Sequence, residues 1–511
     1  MPQKAFLLCL FLAALQVVAC STTDGGLSSQ DGVSADGQTT SGSDATTSGT
    51  SGTSGSDATT SGTSGTSGSD ATTSGTSGTS GSDATTSGTD APDEDTTPPL
   101  PETTPLLDRI VVREVTVAEG VKAGVSSWRV WGRGSLNVAP VFSEPLASCE
   151  TLVCFTTSNG AEHTARIARL DSSDQLQASF VLGAGLECRG LAVEPDGHFA
   201  ALLWDDASDR IYVRRYDAQG QQTWETELIN ADNKPDDFGI GDGRLAYGDG
   251  KYGAYYHVHS DSGHEGDTLK WVDAASGAES TGWGWGCSHS MSALLSYHPD
   301  ANKFMPACVT DCFPGTSGDF STQSKGGIYL NHNKHVMDVN AGCNGSVAGE
   351  LGGAALSPTG WALTFNAHQA PVTLGQSSYD SSAMNQDIGL ATVNADYSVV
   401  GISWLTDTAS VNEADSAITR WLPSGDAEQY VVGWSEPGSP YTYRLGRVSA
   451  QGAWLEGPVD VSAVAQWGRR DDPFRAHTND DIIWSWFDAP GSATLRFARV
   501  RSGNTATCNG F

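Results

Sequence analysis

A turn-bearing strand recurs along residues 107–511, and this repeat limits the fold more than any other property of the chain. Ile211-Tyr212-Val213-Arg214-Arg215-Tyr216 runs into Asp217-Ala218-Gln219-Gly220 and then Gln221-Gln222-Thr223-Trp224. Similar turns open at Asp171, Asp273, Asn394 and Ser449, each after a short alternating run of apolar and polar residues. An Asp, Asn or Ser side chain can cap such a turn. In three copies a glycine (Gly220, Gly277 or Gly452) takes the left-handed position that closes a hairpin. Weaker copies stand near Asn333 and Arg501, giving spacings of roughly 46, 56, 60, 61, 55 and 52 residues.

Helical periodicity is scarce, and each copy follows another apolar strand, such as Phe199–Trp204, Trp361–Phe365, Tyr430–Trp434 or Ile482–Phe487. Seven four-stranded units at this period predict an all-β, seven-bladed β-propeller, with eight blades the second choice. One two-sheet sandwich uses about 100 residues, far fewer than this region holds. A half copy, Ile110–Val115, has no inner strand before it and is expected to complete or cap the last blade. In pattern, residues 107–511 resemble divergent propellers of bacterial lipoproteins. They lack the Trp-Asp, kelch and sialidase-box signatures, so no family's functional residues transfer.

The first hundred residues follow other rules. Lys4 is their only base, and an apolar run from Ala5 to Leu15 is too short for a permanent membrane span. Val17-Val18-Ala19-Cys20 then gives way to a polar stretch. Residues 1–21 resemble a bacterial lipoprotein signal. The resemblance implies removal of residues 1–19 (and Cys9 with them), lipidation of Cys20 and, with Ser21 next, an outer-membrane address. Two or three acyl chains would hold the protein on a membrane without a transmembrane helix.

Residues 20–107 are expected to be a disordered tether ahead of a propeller domain at 108–511. A thirteen-residue unit rich in Ser, Thr and Gly starts at Asp44, Asp57 and Asp70, with a shortened copy at Asp83. It offers no large apolar side chain to repay the entropy of ordering. Such a linker would span on the order of 50 Å. Its dense Ser and Thr also suit O-glycans.

Charge narrows the partners. The chain has 60 acidic and 28 basic residues, and from Arg109 onward 47 acids face 27 bases, about −20. A polyanion of this kind excludes nucleic acid as a direct partner. The expected partners are the membrane, through Cys20, and an extracellular glycan or protein.

Eight cysteines remain for an exported domain: Cys149, Cys154, Cys188, Cys287, Cys308, Cys312, Cys343 and Cys508. Disulfides are expected. Cys149/Cys154 and Cys308/Cys312 suit local loops, Cys287/Cys343 flank one blade, and Cys508 bonded to an earlier strand would lock the ring. Zinc at Cys308 and Cys312 matches no known module.

Three segments carry candidate chemistry. On a strand, His257 and His259 point to one face; with His264, Glu265 or Asp267 they offer a divalent-metal shell. The same set suits a general base, with Tyr255 or Tyr256 as acid. Trp283 and Trp285, spaced by glycine beside His289, suit stacking on sugar rings. Asn230, Asp232, Asn233, Asp236 and Asp237, followed by Asp242 and Asp249, gather hard oxygens fit for calcium. Calcium and zinc are thus the only cofactors the sequence points to. No nucleophile elbow is present. The sequence favours a surface-anchored binding protein over an enzyme. The alternatives are an extracellular polysaccharide lyase or glycosidase using His257, His259 and His264, and a scaffold without ligand.

Overall fold

The computed structural model describes residues 100–101, 103–124, 139–160, 162–205, 207–228, 243–259, 265–283, 286–287, 292–310, 327–331, 334–338, 349–369, 385–422, 427–467 and 473–504. A single-turn helix α1 (Leu106–Arg109) leads into β1 (Ile110–Thr116). Seven four-stranded antiparallel sheets follow from the recurring unit.

Blade 1 holds β2 (Phe142–Pro145), β3 (Thr151–Ser158), β4 (His163–Leu170) and β5 (Leu176–Ala184). Blade 2 holds β6 (Leu186–Val193), β7 (Phe199–Asp205), β8 (Arg210–Tyr216) and β9 (Gln222–Glu227). Blade 3 holds β10 (Gly243–Gly248), β11 (Lys251–His259), β12 (Glu265–Asp273) and β13 (Glu279–Trp283). Blade 4 holds β14 (Ala293–His298), β15 (Lys303–Thr310), β16 (Gly327–Leu330) and β17 (Lys334–Asp338). Blade 5 holds β18 (Gly349–Ser357), β19 (Gly360–Ala367), β20 (Asp387–Asn394) and β21 (Val399–Trp404). Blade 6 holds β22 (Ala414–Trp421), β23 (Gln429–Glu436), β24 (Thr442–Ser449) and β25 (Trp454–Asp460).

Blade 7 is made from both ends of the domain. Its β26 (Arg475–Ala476), β27 (Ile482–Trp486) and β28 (Thr494–Val500) are completed by β1, which pairs with β28 from Ile110↔Val500 to Thr116↔Thr494. The predicted seven blades form, and the N-terminal half copy supplies the missing outer strand. The weak repeat at Arg501 leads into no further strand among the described residues, because β1 already occupies that edge. Arg109 ties the two ends of the propeller domain together. Its buried guanidinium donates to the carbonyls of Pro101, Thr104, Arg501 and Ser502 at 2.7–3.0 Å.

Packing explains the sequence pattern. Second strands such as β3, β7 and β19 are buried along nearly their whole length, since both faces meet a neighbouring blade. They therefore read as continuous apolar runs. The outer strands β5, β9 and β25 alternate between exposed and covered residues. Each of the seven blade interfaces has its own apolar cluster. Tryptophans span several of them. Trp361 is fully buried between blades 4 and 5 and donates to Ser296 Oγ at 3.1 Å. Burying one such side chain contributes about 1.5–3 kcal/mol.

The recurring turns also hold neighbouring blades together. Asp171 Oδ1 accepts the backbone N–H groups of Ser173 and Gln175, and Asp217 Oδ1 those of Gln219 and Gln221. In three turns the left-handed position is Gly220, Gly277 or Gly452. A Cβ on Gly220 would lie 2.5 Å from Phe180, and one on Gly452 2.7 Å from Ser403, each on the preceding blade. The other two turns place Asp174 (φ 63°) and Tyr397 (φ 67°) there. These side chains clasp the preceding blade. Asp174 binds Arg499 at 2.6 Å, and the Tyr397 hydroxyl donates to the Phe304 carbonyl at 2.7 Å. The position thus carries either no side chain or one that bonds across the interface.

Candidate functional site: the central channel

Antiparallel order divides the ring into two faces. Connections between first and second strands, and between third and fourth, share one face and run two to seven residues. The opposite face receives the remaining connections, among them 117–141, 228–242, 311–326 and 368–386. We call these the turn face and the loop face.

A cavity of about 420 Å³ lies where the seven inner strands reach the turn face. Every inner strand contributes to it. Ala192, Ala246, Ala354 and Ala355 are small enough to leave the axis open. Larger residues from the same strand ends supply the polar and aromatic groups. Glu144 and Arg475, from adjacent blades 1 and 7, form an ion pair at 2.7 Å. Arg420 and Asp480 add a second pair of opposite charges. Burial pushes the Asp480 carboxyl above its ordinary value, against the opposing influence of Asn504 and the Arg420 charge. Arg420 Nε is buried with no hydrogen-bond partner among the described residues.

Tyr247 and Tyr297 come from adjacent blades 3 and 4. Gly248 makes room for the Tyr297 ring, which a Cβ there would meet at 2.3 Å. Burial raises the Tyr247 hydroxyl's pKa, helped by the nearby Glu194 charge. Glu194 is itself held by Arg215 at 2.5 Å and by the Tyr252 hydroxyl. The cavity thus combines two cations, two carboxylates and three aromatic rings (Phe474 is the third) with no net charge.

None of these residues stands out in the sequence. Most converge because they lie near the ends of first strands some fifty residues apart in the chain, while Phe474 and Asp480 flank β26. The one available signal was a polar or aromatic residue at the end of a first strand, as at Glu144, Tyr247, Tyr297 and Arg420. Blades 2 and 5 carry Val193 and Leu356 there.

Two of the predicted metal-site residues, His257 and Asp267, lie directly opposite on β11 and β12, and both are fully buried. Asp267 Oδ2 accepts the Tyr255 hydroxyl at 2.8 Å and the Cys287 N–H at 3.2 Å. Burial raises the Asp267 carboxyl to about 7, although the His257 charge and these bonds oppose it. Tyr256 instead donates to the Leu228 carbonyl at 3.2 Å. His259 belongs to β11, but its side chain lies outside the described residues, as does that of Glu265; His264 lies wholly outside them. Trp283 packs edge-on to Tyr255 beside the cluster between blades 3 and 4. Trp285 and His289 are outside the described residues, as are Asn230, Asp232, Asn233, Asp236, Asp237 and Asp242. Asp249 sits in the tight first turn of blade 3 with φ 51°.

The disulfides correct the local pairings expected from sequence. Cys154 bonds Cys188 across blades 1 and 2, and Cys287 bonds Cys308 across blades 3 and 4. Neither Cys149/Cys154, Cys308/Cys312 nor Cys287/Cys343 therefore forms. Proximity here is set by blade packing rather than by loop length. Cys149 is also disulfide-bonded. The Cys287 and Cys308 sulfurs sit beside the Asp267 carboxylate but are joined to each other, leaving no thiolate there for zinc. Cys312, Cys343 and Cys508 lie outside the described residues.

No protein-family model and no curated protein matches the chain. Among solved structures it is similar in fold to the polysaccharide lyase Uly1, at 10% identity over 76% of this chain and 99% of that one, with a TM-score of 0.44. It is similar also to the β-propeller domain of the Trilobed protease from Pyrococcus furiosus, at 8% identity, 70% and 91% coverage and a TM-score of 0.36. A sialidase from Trypanosoma rangeli gives 9% identity, 77% and 60% coverage and a TM-score of 0.36. Overlaps this low carry nothing about chemistry, which has to come from the residues themselves.

Proposed function

We propose that this protein is a lipid-anchored, surface-displayed glycan-binding propeller, and that its ligand site is the turn-face end of the central channel. One observation carries the reading: the cavity pairs aromatic faces with balanced, partly buried charges. Sugar hydroxyls donate to carboxylates such as Glu144 and accept from guanidinium groups such as Arg420, while the apolar face of a sugar ring stacks on tyrosine. A space of about 420 Å³ falls within the usual range for small-ligand sites and holds one or two sugar rings. Its lack of net charge suits a neutral glycan.

The test is a glycan array probed with the full chain, followed by affinity measurements on Arg420→Met and Glu144→Gln. Retention of a neutral oligosaccharide, weakened about tenfold or more by either substitution, is the expected result. No retention of any glycan would overturn the glycan assignment and leave a protein partner. Equal binding by the variants would overturn the assignment to this end of the channel.

The anchor rests on the sequence around Cys20. Cys20→Ala is expected to move the protein from the membrane fraction to the soluble fraction. Unchanged membrane association of that variant would exclude lipidation at Cys20.

A further inference from the structure

The inner strand of blade 2 carries a buried cation whose hydrogen bonds are not all made. Arg189 and Glu187 are each 1% exposed. Arg189 Nη2 donates to Glu187 Oε2 at 2.7 Å, but Glu187 Oε1 is bound to Lys122 Nζ, so one carboxylate serves two cations. Arg189 Nε and Nη1 are buried with no acceptor among the described residues. The guanidinium lies over the Trp204 ring, 5.1 Å from its centroid, and Trp204 Nε1 is likewise buried without an acceptor. Three nitrogens on one Arg–Trp pair therefore lack a partner among the described residues. Arginine cannot shed its proton to relieve this, and each unmet buried donor is costly.

The backbone around this pair is fixed. Cross-strand pairing jumps from Cys188↔Leu203 to Gly190↔Leu202, leaving Arg189 as the extra residue of a β-bulge. Bulges of this kind re-aim a side chain. On one side Cys188 is bonded to Cys154, and its N–H donates to Thr156 Oγ1 at 3.0 Å. On the other, Gly190 lets β6 approach blade 3, where an added Cβ would stand 3.0 Å from the Leu245 nitrogen. The bulge belongs to the half of β6 nearer the loop face, while the cavity described above is lined by Ala192 and Val193 at the other end of that strand.

We propose that Arg189 and Trp204 form a second binding site, for a small oxyanion such as a carboxylate, sulfate or phosphate group. Its oxygens supply the acceptors that these buried nitrogens lack among the described residues. The Trp204 ring lies 5.1 Å from the guanidinium, and the Cys154–Cys188 disulfide anchors the residue beside the bulge. This site is separate from the neutral-glycan cavity, and either assignment can fail without the other.

The experiment is calorimetric titration of the full chain with sodium acetate, sodium sulfate and sodium phosphate, against sodium chloride at equal ionic strength. Saturable binding of one anion per chain is expected. Acetate winning would identify a planar carboxylate, and sulfate or phosphate winning a tetrahedral group. Arg189→Met should weaken binding at least tenfold. Trp204→Phe keeps the ring and removes one donor, so it should weaken binding severalfold, and it decides the matter if Arg189→Met does not fold. A selenate-soaked crystal should show anomalous density within hydrogen-bond distance of Arg189. No saturable binding by any of the three anions, or wild-type affinity in Trp204→Phe, would overturn the proposal, as would water alone at these nitrogens where sulfate or phosphate binds best.

Discussion

The two faces of this ring are built by opposite rules. On the turn face, connections of two to seven residues are capped by their own side chains and bonded or packed against the preceding blade. On the loop face, connections reach the length of 117–141 and 368–386. The turn face therefore fixes the ring's geometry, and the proposed glycan cavity sits at its fixed end. The loop face also keeps buried polar groups at the roots of its connections. These include Glu187 and Arg189 on β6, and Asp387 and Glu413 beside blades 5 and 6. A rigid frame at one end frees the other to vary in sequence and length.

A large effect is expected on the turn face where the ring closes. Asp174→Ala removes the principal partner of Arg499, which is 5% exposed and keeps only Asp481 at 3.2 Å. Losing most of a buried cation's hydrogen bonds while one carboxylate remains costs about 1–3 kcal/mol. Urea unfolding should show a loss of that order; a loss below about 1 kcal/mol would mean that blades 7 and 1 close without the clasp.

A pair of glycines compares the faces directly. Gly220→Ala on the turn face meets both an unfavourable φ of +79° and Phe180, and is expected to cost about 2–3 kcal/mol. Gly160→Ala on the loop face meets only the φ of +95°, with nothing within 4 Å, and should cost about 1 kcal/mol. Equal losses would erase the distinction between close approach and backbone preference.

The smallest effect is a pH dependence on the loop face. Burial raises the Glu413 carboxyl from 4.5 to about 7, despite the Thr408 hydrogen bond, and the Asp387 charge adds to the rise. Because the folded chain holds this proton more tightly, stability from this group is full below about pH 4.5 and declines as pH rises to about 7. Glu413→Gln should therefore be more stable than wild type at pH 8, by on the order of 1 kcal/mol, and equal to it near pH 4. A variant less stable than wild type at both values would show that the ionised carboxylate is preferred.

The ring was legible in the sequence because turn chemistry is local. The capping side chains of Asp171, Asp217, Asp273 and Ser449, and the left-handed glycines, follow from a few neighbouring residues. The half copy at Ile110–Val115 was legible as a strand in need of a sheet. Contacts set by packing were not. Cys154 and Cys188 are 34 residues apart and meet only when blades 1 and 2 pack. His257 was readable as a strand residue, but its place opposite Asp267 depends on the β11–β12 register. The channel residues were hidden for the same reason. Arg420 and Glu144 share only a polar side chain near the end of a first strand, and they are brought to one cavity by the closing of the ring.

The most direct measurement is a crystal structure of the full chain with the best-retained glycan from the array. Sugar density among Glu144, Tyr247, Tyr297, Arg420 and Arg475 is the predicted result. Density confined to the loop face, with the turn-face cavity holding only water, would contradict it.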